Sequence, residues 1–218
     1  MNLKETIQDK VVALCCTGPS LTPDINLKDH DVVVGVNRIY LTGFVEKIDI
    51  LFHNASQLDD PRDMMKVMKD KNPQAHTFFI PSAKKHPRNQ LVFLDDLTLG
   101  GNKTTNLCGY RDASAEKLGF ELLSGIIALE ILLKFNPRHI DIYGMSFYQD
   151  DTERKYTKYT NDKRRLTEHS NILGHDMMNN YIYFSTLIKD KNVKWHIDKE
   201  TLKRVEALKL GEKKKEDK

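Results

Sequence analysis

Three short segments in the first quarter of the chain are apolar without the polar alternation of a half-exposed strand. They are residues 11–16, 31–37 and 48–54. Apolar runs of this length are typical of strands buried on both faces, as in a parallel sheet that is covered by helices. These segments therefore predict the central strands of an α/β fold.

Helical and strand-like patterns alternate along the rest of the chain. Helices are predicted over residues 61–71, 114–135, 174–189 and 199–210, with a break in the second helix near residues 123–125. Further strands are predicted over residues 76–81, 91–94, 139–144 and 193–197, and a loop over residues 98–112. Alternation of this kind implies a mainly parallel sheet flanked by helices. We expect one Rossmann-like α/β domain over residues 1–210 and a charged, disordered tail over residues 211–218.

Charge and cysteine content argue against several classes of protein. The 218 residues include 34 Lys and Arg against 31 Asp and Glu, which gives a formal net charge of +3. Proteins that bind nucleic acid usually carry a larger, clustered positive charge, so we expect no nucleic-acid partner. The 3 cysteines form no CxxC or Cys/His spacing, so neither a zinc site nor a disulfide framework is indicated.

The amino end and the longest apolar stretch bear on location. The first residues are polar and lack the apolar core of a signal peptide. Residues 126–133 form the longest apolar stretch, which is interrupted by Glu130 and is too short to span a bilayer. Unpaired cysteines fit a reducing compartment. We therefore expect a cytoplasmic protein with no membrane span. A homo-oligomer stays open, because the sequence does not give the oligomeric state.

Polar and glycine residues follow the predicted strands. In a parallel α/β sheet, ligands bind in the crevice beyond the carboxyl ends of the strands. The residues there are Thr17-Gly18-Pro19-Ser20, Asn37-Arg38, His53-Asn54 and Gly144-Met145-Ser146-Phe147-Tyr148. Their amides, hydroxyls and glycines suit a nucleotide-like ligand with many hydrogen-bonding edges. The sequence therefore predicts a binding site at this edge of the sheet, and His53 is a candidate to line it.

Asp29-His30-Asp31 matches the DxD pattern of many metal-dependent sugar transferases. The metal-binding version of this pattern follows a strand, whereas this one precedes a predicted strand. We therefore interpret it as a turn and predict no metal site.

Three segments, in order, resemble sialyltransferase motifs. Residues 12–21, 33–40 and 48–54 are similar to the first long motif, and glycosyltransferase family 42 has a similar Gly-Pro-Ser-Leu turn and an Asn at the end of its second and third strands. Residues 123–130 and 140–148 look like the short motif of family 29 and its counterpart in family 42. Gly174-His175-Asp176 falls where these families place a histidine near the carboxyl end. The resemblance covers residues 11–197.

The resemblance implies a variant GT-A fold of the sialyltransferase type and an inverting, metal-independent transferase. Such an enzyme moves sialic acid or a related ulosonic acid from a CMP-activated donor to a glycan hydroxyl. No cofactor is expected, and the implied partners are the nucleotide-sugar donor and the glycan acceptor.

The resemblance also implies roles for individual residues. In the donor site it places the turn of Gly18, Pro19 and Ser20 under phosphate and ribose, Asn37 and Asn54 at the nucleotide, and Ser124 and Gly125 at cytidine. Thr17, Arg38 and Ser146 are also expected to bind the donor. Tyr148 matches a tyrosine that supports the leaving phosphate, and Tyr156 or Tyr159 is the second such hydroxyl. His175 matches the catalytic base. The basic and aromatic residues of 147–173 are expected to form a lid over the donor.

Three positions depart from the family pattern. Thr17 replaces an Asn, Ser146 replaces an acidic residue, and Asn180 stands where animal members often have Glu. In the family these positions touch the cytidine and sugar contacts. Two other functions therefore stay open at this stage. One is a non-catalytic module that recognises a nucleotide or sugar, and the other is an ATP- and magnesium-dependent pyrophosphokinase-like enzyme that shares the Gly-Pro-Ser-Leu turn.

Overall fold

A computed structural model describes residues 2–18, 21, 25–55, 61–82, 103–145, 176–203 and 205–206. The strands are β1 (Val11–Cys15), β2 (Val32–Val36), β3 (Ile50–His53), β4 (His76–Phe79), β5 (Thr104–Asn106), β6 (His139–Tyr143) and β7 (Lys194–Ile197). The helices are α1 (Leu3–Ile7), α2 (Pro61–Lys71), α3 (Tyr110–Leu118), α4 (Ser124–Leu133) and α5 (Met177–Leu187), with a 3₁₀ helix over Asn37–Leu41. Residues 199–203 and 205–206 are also helical.

The strands form one sheet in the order β5-β4-β3-β2-β1-β6-β7. Every neighbouring pair is parallel. β1 lies inside the sheet, where Leu14 is paired with Val34 of β2 on one side and with Ile142 of β6 on the other. The predicted parallel α/β sheet is confirmed.

Both faces of the sheet are buried, which explains the unbroken apolar runs. Val12 and Leu14 of β1 pack on one face with α4 and α5, whereas Ala13 and Cys15 pack on the other face with the 3₁₀ helix and α2. Leu14, at the centre of the sheet, has no exposed surface. Within the described residues, no helix combines the length and apolar character that a bilayer crossing requires.

The predicted loop over residues 98–112 is wrong in its second half, because β5 and the start of α3 lie there. Thr77 N–H donates to Lys103 O at 2.8 Å, and Leu107 N–H donates to Phe79 O at 2.7 Å, so the segment is an edge strand of the sheet. A strand of only three residues, Thr104 to Asn106, has no apolar pattern that sequence reasoning could detect. Backbone hydrogen bonds to β4, and not apolar burial, make this segment a strand.

The predicted break in the long helix is confirmed, but it lies at residues 119–123 and not at 123–125, since Ser124 and Gly125 are already helical. α3 ends at Leu118 and is followed by Gly119, which has a φ of +80°. Glycine takes this left-handed conformation without the steric cost that a side chain brings. The predicted strand over residues 91–94, the lid over 147–173 and the tail over 211–218 all lie outside the described residues.

Candidate functional site

The strand order reverses between β1 and β6. From β1 the chain adds strands outward to β5, and it then returns to the other side of β1 with β6. Ligands of open α/β sheets bind beyond the carboxyl ends of the strands at such a reversal. Two hydrogen bonds join the two strand ends there, from Cys16 N–H to Tyr143 O at 2.8 Å and from Gly18 N–H to Gly144 O at 2.7 Å. This point is the centre of the candidate site.

Gly144 makes the tight turn after β6. Its φ is +72°, and a Cβ at this position would lie 2.3 Å from the backbone oxygen of Cys16. Its N–H donates to Asp198 Oδ2 at 3.1 Å, and Thr201 Oγ1 donates to the same carboxylate oxygen at 2.7 Å. The carboxylate that follows β7 therefore holds the turn in place. Burial raises the pKa of the Cys16 thiol, and the nearby charges of Cys15 and Asp198 raise it further, so this thiol stays neutral.

The two predicted asparagines at the ends of β2 and β3 meet. Asn54 N–H donates to Asn37 Oδ1 at 3.1 Å. Asn37 has a φ of +52°, a conformation that asparagine tolerates better than most residues. Because its Oδ1 is the acceptor, the Asn37 amide presents its Nδ2 hydrogens elsewhere, and these can donate to a ligand oxygen. Arg38 follows directly, in the 3₁₀ helix.

The first turn of α4 packs against the strand reversal. At Gly125 a Cβ would lie 2.9 Å from Cys16 Sγ and 3.2 Å from Met145 Cε, so glycine is needed for the helix to approach this closely. Ser124 is the first residue of the helix, and the residue before it makes no side-chain cap. A helix N-terminus carries free N–H groups and a partial positive charge, which favours an anionic ligand.

Arg111 is a residue of this region that the sequence analysis missed. Its guanidinium is buried and donates to Ser124 Oγ at 2.7 Å, Leu122 O at 3.0 Å, Ile80 O at 3.1 Å and Glu121 Oε1 at 3.1 Å. Ser124 is itself buried, and since arginine only donates, the Ser124 hydroxyl keeps its own hydrogen to donate. Arg111 thereby fixes the segment that leads into α4. Nothing in the sequence around Arg111 marks it as buried.

The remaining predicted residues fall into two groups. Thr17 is half-buried beside Gly18, at the end of β1. Pro19, Ser20, Ser146, Tyr148, Tyr156, Tyr159 and His175 lie outside the described residues, so their roles stay predictions.

His53 is buried at the end of β3, and the DxD segment lies at the opposite edge of the sheet. His53 has no exposed surface, and its Nδ1 accepts from Ala55 N–H at 2.9 Å, so it does not line an open crevice. In the DxD segment, Asp31 Oδ2 accepts from Val11 N–H at 2.8 Å at the amino end of β1, which is the opposite edge of the sheet. His30 Nε2 lies 2.7 Å from Asp141 Oδ2. These side chains are used in internal contacts, and among the described residues no group of His, Cys, Asp or Glu is arranged to hold a metal ion.

An open cavity of about 500 Å³ lies between the carboxyl-terminal ends of α4 and α5, where Glu130, Lys134 and Lys189 line it. Helices that connect parallel strands run opposite to those strands, so these helix ends lie at the edge opposite to the predicted site. The topology favours the carboxyl edge as the ligand site, because the ends of β1, β2, β3 and β6 and the first turn of α4 lie there.

Two replacements of Asn37 that differ in backbone strain test whether this edge of the sheet binds a nucleotide. Asn37→Ala and Asn37→Gly both remove the side-chain contact to Asn54, but only alanine keeps the strain of a positive φ. We expect Asn37→Ala to be less stable than Asn37→Gly by about 1 kcal/mol in urea unfolding. If the Asn37 amide contacts a nucleotide, both variants should lose CMP affinity by a similar factor of about 10. Affinity that follows stability, and not the loss of the amide, would show that Asn37 is only a turn residue.

A scan against protein-family models and a search of curated proteins give no match. Solved structures do match. The sialyltransferase CstII from Campylobacter jejuni in complex with the substrate analogue CMP-3FNeuAc has a TM-score of 0.53 at 15% identity over 86% of this chain and 79% of that chain. Monofunctional α-2,3-sialyltransferase Cst-I from Campylobacter jejuni has a TM-score of 0.56 at 14% identity over 87% of this chain and 75% of that chain. The resemblance to sialyltransferases is confirmed at the level of the fold: this chain has the fold of CstII and Cst-I.

Proposed function

We propose that this protein is a glycosyltransferase that moves sialic acid or a related ulosonic acid from a CMP-activated donor to a glycan hydroxyl. The observation that carries the proposal is the convergence of Gly18, the Asn37–Asn54 pair and the first turn of α4 at one edge of the sheet. Solved structures with this fold include sialyltransferases in complex with CMP. The proposal therefore joins a site that suits a nucleotide with a fold on which CMP-dependent transfer occurs.

The nucleotide binds through groups that the fold holds in place. The first turn of α4 offers N–H groups to an anionic or oxygen-rich part of the donor. Asn37 supplies amide hydrogens from the end of β2, and its contact with Asn54 prevents the amide from turning away. Gly144 lets the turns after β1 and β6 lie directly against each other at this edge. These contacts orient the donor and leave its sugar exposed to the acceptor.

His175 acts as the general base in this proposal. It directly precedes Asp176, the residue that caps α5 by accepting from Asn179 N–H at 2.9 Å. The imidazole takes the proton from the acceptor hydroxyl while the acceptor oxygen attacks the anomeric carbon of the donor sugar. The new carbon–oxygen bond forms on the face opposite to the phosphate, so the configuration inverts and CMP leaves. Neutral imidazole is available at pH 7 because the usual pKa of histidine is about 6.5.

Departing CMP gains negative charge, which this chain can stabilise with its own groups. The first turn of α4 favours an anion, and the hydroxyls of Tyr148 and Tyr156 are proposed to donate to the phosphate. Hydrogen-bond donors of this kind can take the place of a divalent cation. We therefore propose transfer without a metal.

Calorimetric titration of the full chain tests the nucleotide preference. CMP is expected to bind at least 10-fold more tightly than UMP, GDP or ATP, because the polar groups of the site match one base and one phosphate. In urea unfolding, CMP at ~100 times its dissociation constant should add about 2.7 kcal/mol to the free energy of unfolding. Adding EDTA or magnesium should change neither value. Equal stabilisation by all four nucleotides would contradict the proposal.

Donor turnover separates the remaining alternatives. A transferase releases CMP from the CMP-sugar in the presence of a glycan acceptor, and this release should continue in EDTA. CMP binding without any release of CMP would indicate a non-catalytic recognition module. Binding of ATP that requires magnesium would indicate a pyrophosphokinase-like enzyme, in which His175 has no role.

A further inference from the structure

Asn180 is the polar residue that joins the amino-terminal ends of two helices, α4 and α5. It lies at the end of the first turn of α5 and has no exposed surface. Its Oδ1 accepts from Leu123 N–H at 2.8 Å, and Leu123 is the residue that precedes α4. Its Nδ2 donates to Glu121 O at 2.8 Å and to Asp176 O at 2.8 Å. The oxygen of the amide therefore accepts from the α4 side, and its two hydrogens bond to one carbonyl on the α4 side and one on the α5 side.

This position gives Asn180 no direct role at a ligand. A side chain that is fully buried and whose amide hydrogens are both donated to protein carbonyls cannot also reach a donor sugar. The departure from the glutamate of animal family members at this position thus leaves the cytidine and sugar contacts unaltered. A glutamate at this place would bring a carboxylate against the carbonyl oxygens of Glu121 and Asp176. The amide fits both carbonyls because it donates twice.

Both helix ends that Asn180 joins lie at the edge of the proposed site. The α4 end carries Ser124 and Gly125 beside the strand reversal. The α5 end carries Asp176, which follows the proposed base in the chain. The Asn180 amide is therefore a buried link between the α4 end, where the nucleotide is proposed to bind, and the α5 end, which follows the proposed base in the chain.

We infer that Asn180 is a positioning residue that fixes the α5 end, and with it the base, relative to the nucleotide at the α4 end. This inference rests on the proposed function. It predicts that loss of the Asn180 contacts lowers the rate of transfer without weakening CMP binding. Losing the donors of Asn180 removes the bond to Glu121 O and loosens the α5 end from the segment before α4. Arg111 still holds that segment through its bonds to Glu121, Leu122 and Ser124. CMP affinity is thus preserved, whereas the rate of transfer falls because the base moves away from the acceptor.

Asn180→Asp tests the inference in the full chain, with Asn192→Asp as the matched control. The aspartate at position 180 keeps an oxygen for Leu123 N–H but loses the amide hydrogens that bond to Glu121 O and Asp176 O. Asn192 is exposed in the turn that leads into β7, so its variant adds the same charge without touching the contacts of Asn180. We expect Asn180→Asp to lower kcat about 10- to 100-fold, with the dissociation constant of CMP changed less than 3-fold. Asn192→Asp should change both by less than 2-fold.

Three outcomes overturn the inference. Asn180→Asp with wild-type kcat shows that the link does not position the base. An equal loss of kcat and CMP affinity shows that Asn180 supports only the nucleotide end. A control that loses as much kcat as Asn180→Asp shows that charge, and not the link, is responsible. If Asn180→Asp fails to fold, Asn180→Ser is measured instead, because serine is too short to bridge and adds no charge.

Measurements on the wild-type protein distinguish failure of the proposed function from failure of this inference. Wild type that neither binds CMP nor releases it from a CMP-sugar removes the proposed function and the catalytic part of the inference together. Hydrogen exchange then decides whether the link itself exists. In Asn180→Ser, the Leu123 amide and the amides of the first turn of α5 should exchange at least 10-fold faster than in wild type, and unchanged exchange overturns the link.

Discussion

Replacing Gly144 by alanine is expected to lower the free energy of unfolding by about 3 to 5 kcal/mol and to abolish CMP binding. Two costs add at this position. The φ of +72° is strained for any residue with a side chain, and the new Cβ would lie 2.3 Å from Cys16 O. Since the obstructing atom belongs to the backbone at the end of β1, the β1 and β6 ends must separate, and the hydrogen bond from Gly18 N–H to Gly144 O breaks.

Gly119→Ala is the matched control for this effect. Gly119 has a φ of +80°, but a Cβ there would have no neighbour within 4 Å. The control therefore carries the backbone strain alone, with an expected loss of about 1 kcal/mol and no change in CMP binding. Urea unfolding of both variants measures the difference. If Gly144→Ala costs no more than Gly119→Ala, the two strand ends are not packed as closely as the structure indicates.

Replacing His175 by alanine is expected to lower kcat about 10²- to 10⁴-fold and to leave the affinity for CMP almost unchanged. A general base acts on the acceptor hydroxyl, which is not part of the nucleotide, so binding and turnover separate. The wild-type rate should fall below about pH 6 as the imidazole becomes protonated, and added imidazole should partly restore the variant. His196→Ala is the control, because His196 is 60% exposed on β7.

Measurement of kcat and of the CMP dissociation constant for both histidine variants decides the assignment. A His175→Ala protein with a near wild-type rate would place the base elsewhere in the chain. A variant that loses CMP binding would instead assign the histidine to the leaving phosphate.

Several elements of the fold were predictable because burial on both faces imposes an unbroken apolar pattern. The predicted strands over residues 11–16, 31–37 and 48–54 match β1, β2 and β3 within two residues at either end, and the helix over residues 61–71 matches α2. The edge strand β5 was not predictable, since Thr104, Thr105 and Asn106 offer no apolar alternation and pair through their backbones. The order of the strands was also hidden, because the return of β6 to the side of β1 depends on contacts between distant segments.

The residues of the candidate site also divide into those that the sequence pointed to and those that only the structure revealed. Asn37, Asn54 and the glycines after the strands were found from the sequence, because chemistry at the carboxyl ends of parallel strands has a fixed place along the chain. Arg111 and Asn180 were not assigned a place in the site's framework, since nothing local distinguishes a buried polar residue from an exposed one. Asn180 and Leu123 are 57 residues apart, and Arg111 and Ile80 are 31 apart.

The sequence alone determined the α/β class and the parallel sheet, and it predicted which edge binds a ligand, because hydrophobic periodicity and strand ends are local properties of the chain. Only the tertiary structure decided which polar side chains are buried and which groups they hydrogen-bond to. A buried amide or guanidinium is stable only where its partners converge on it, and those partners come from other elements of the fold. The positions of the α4 and α5 ends are set by such contacts.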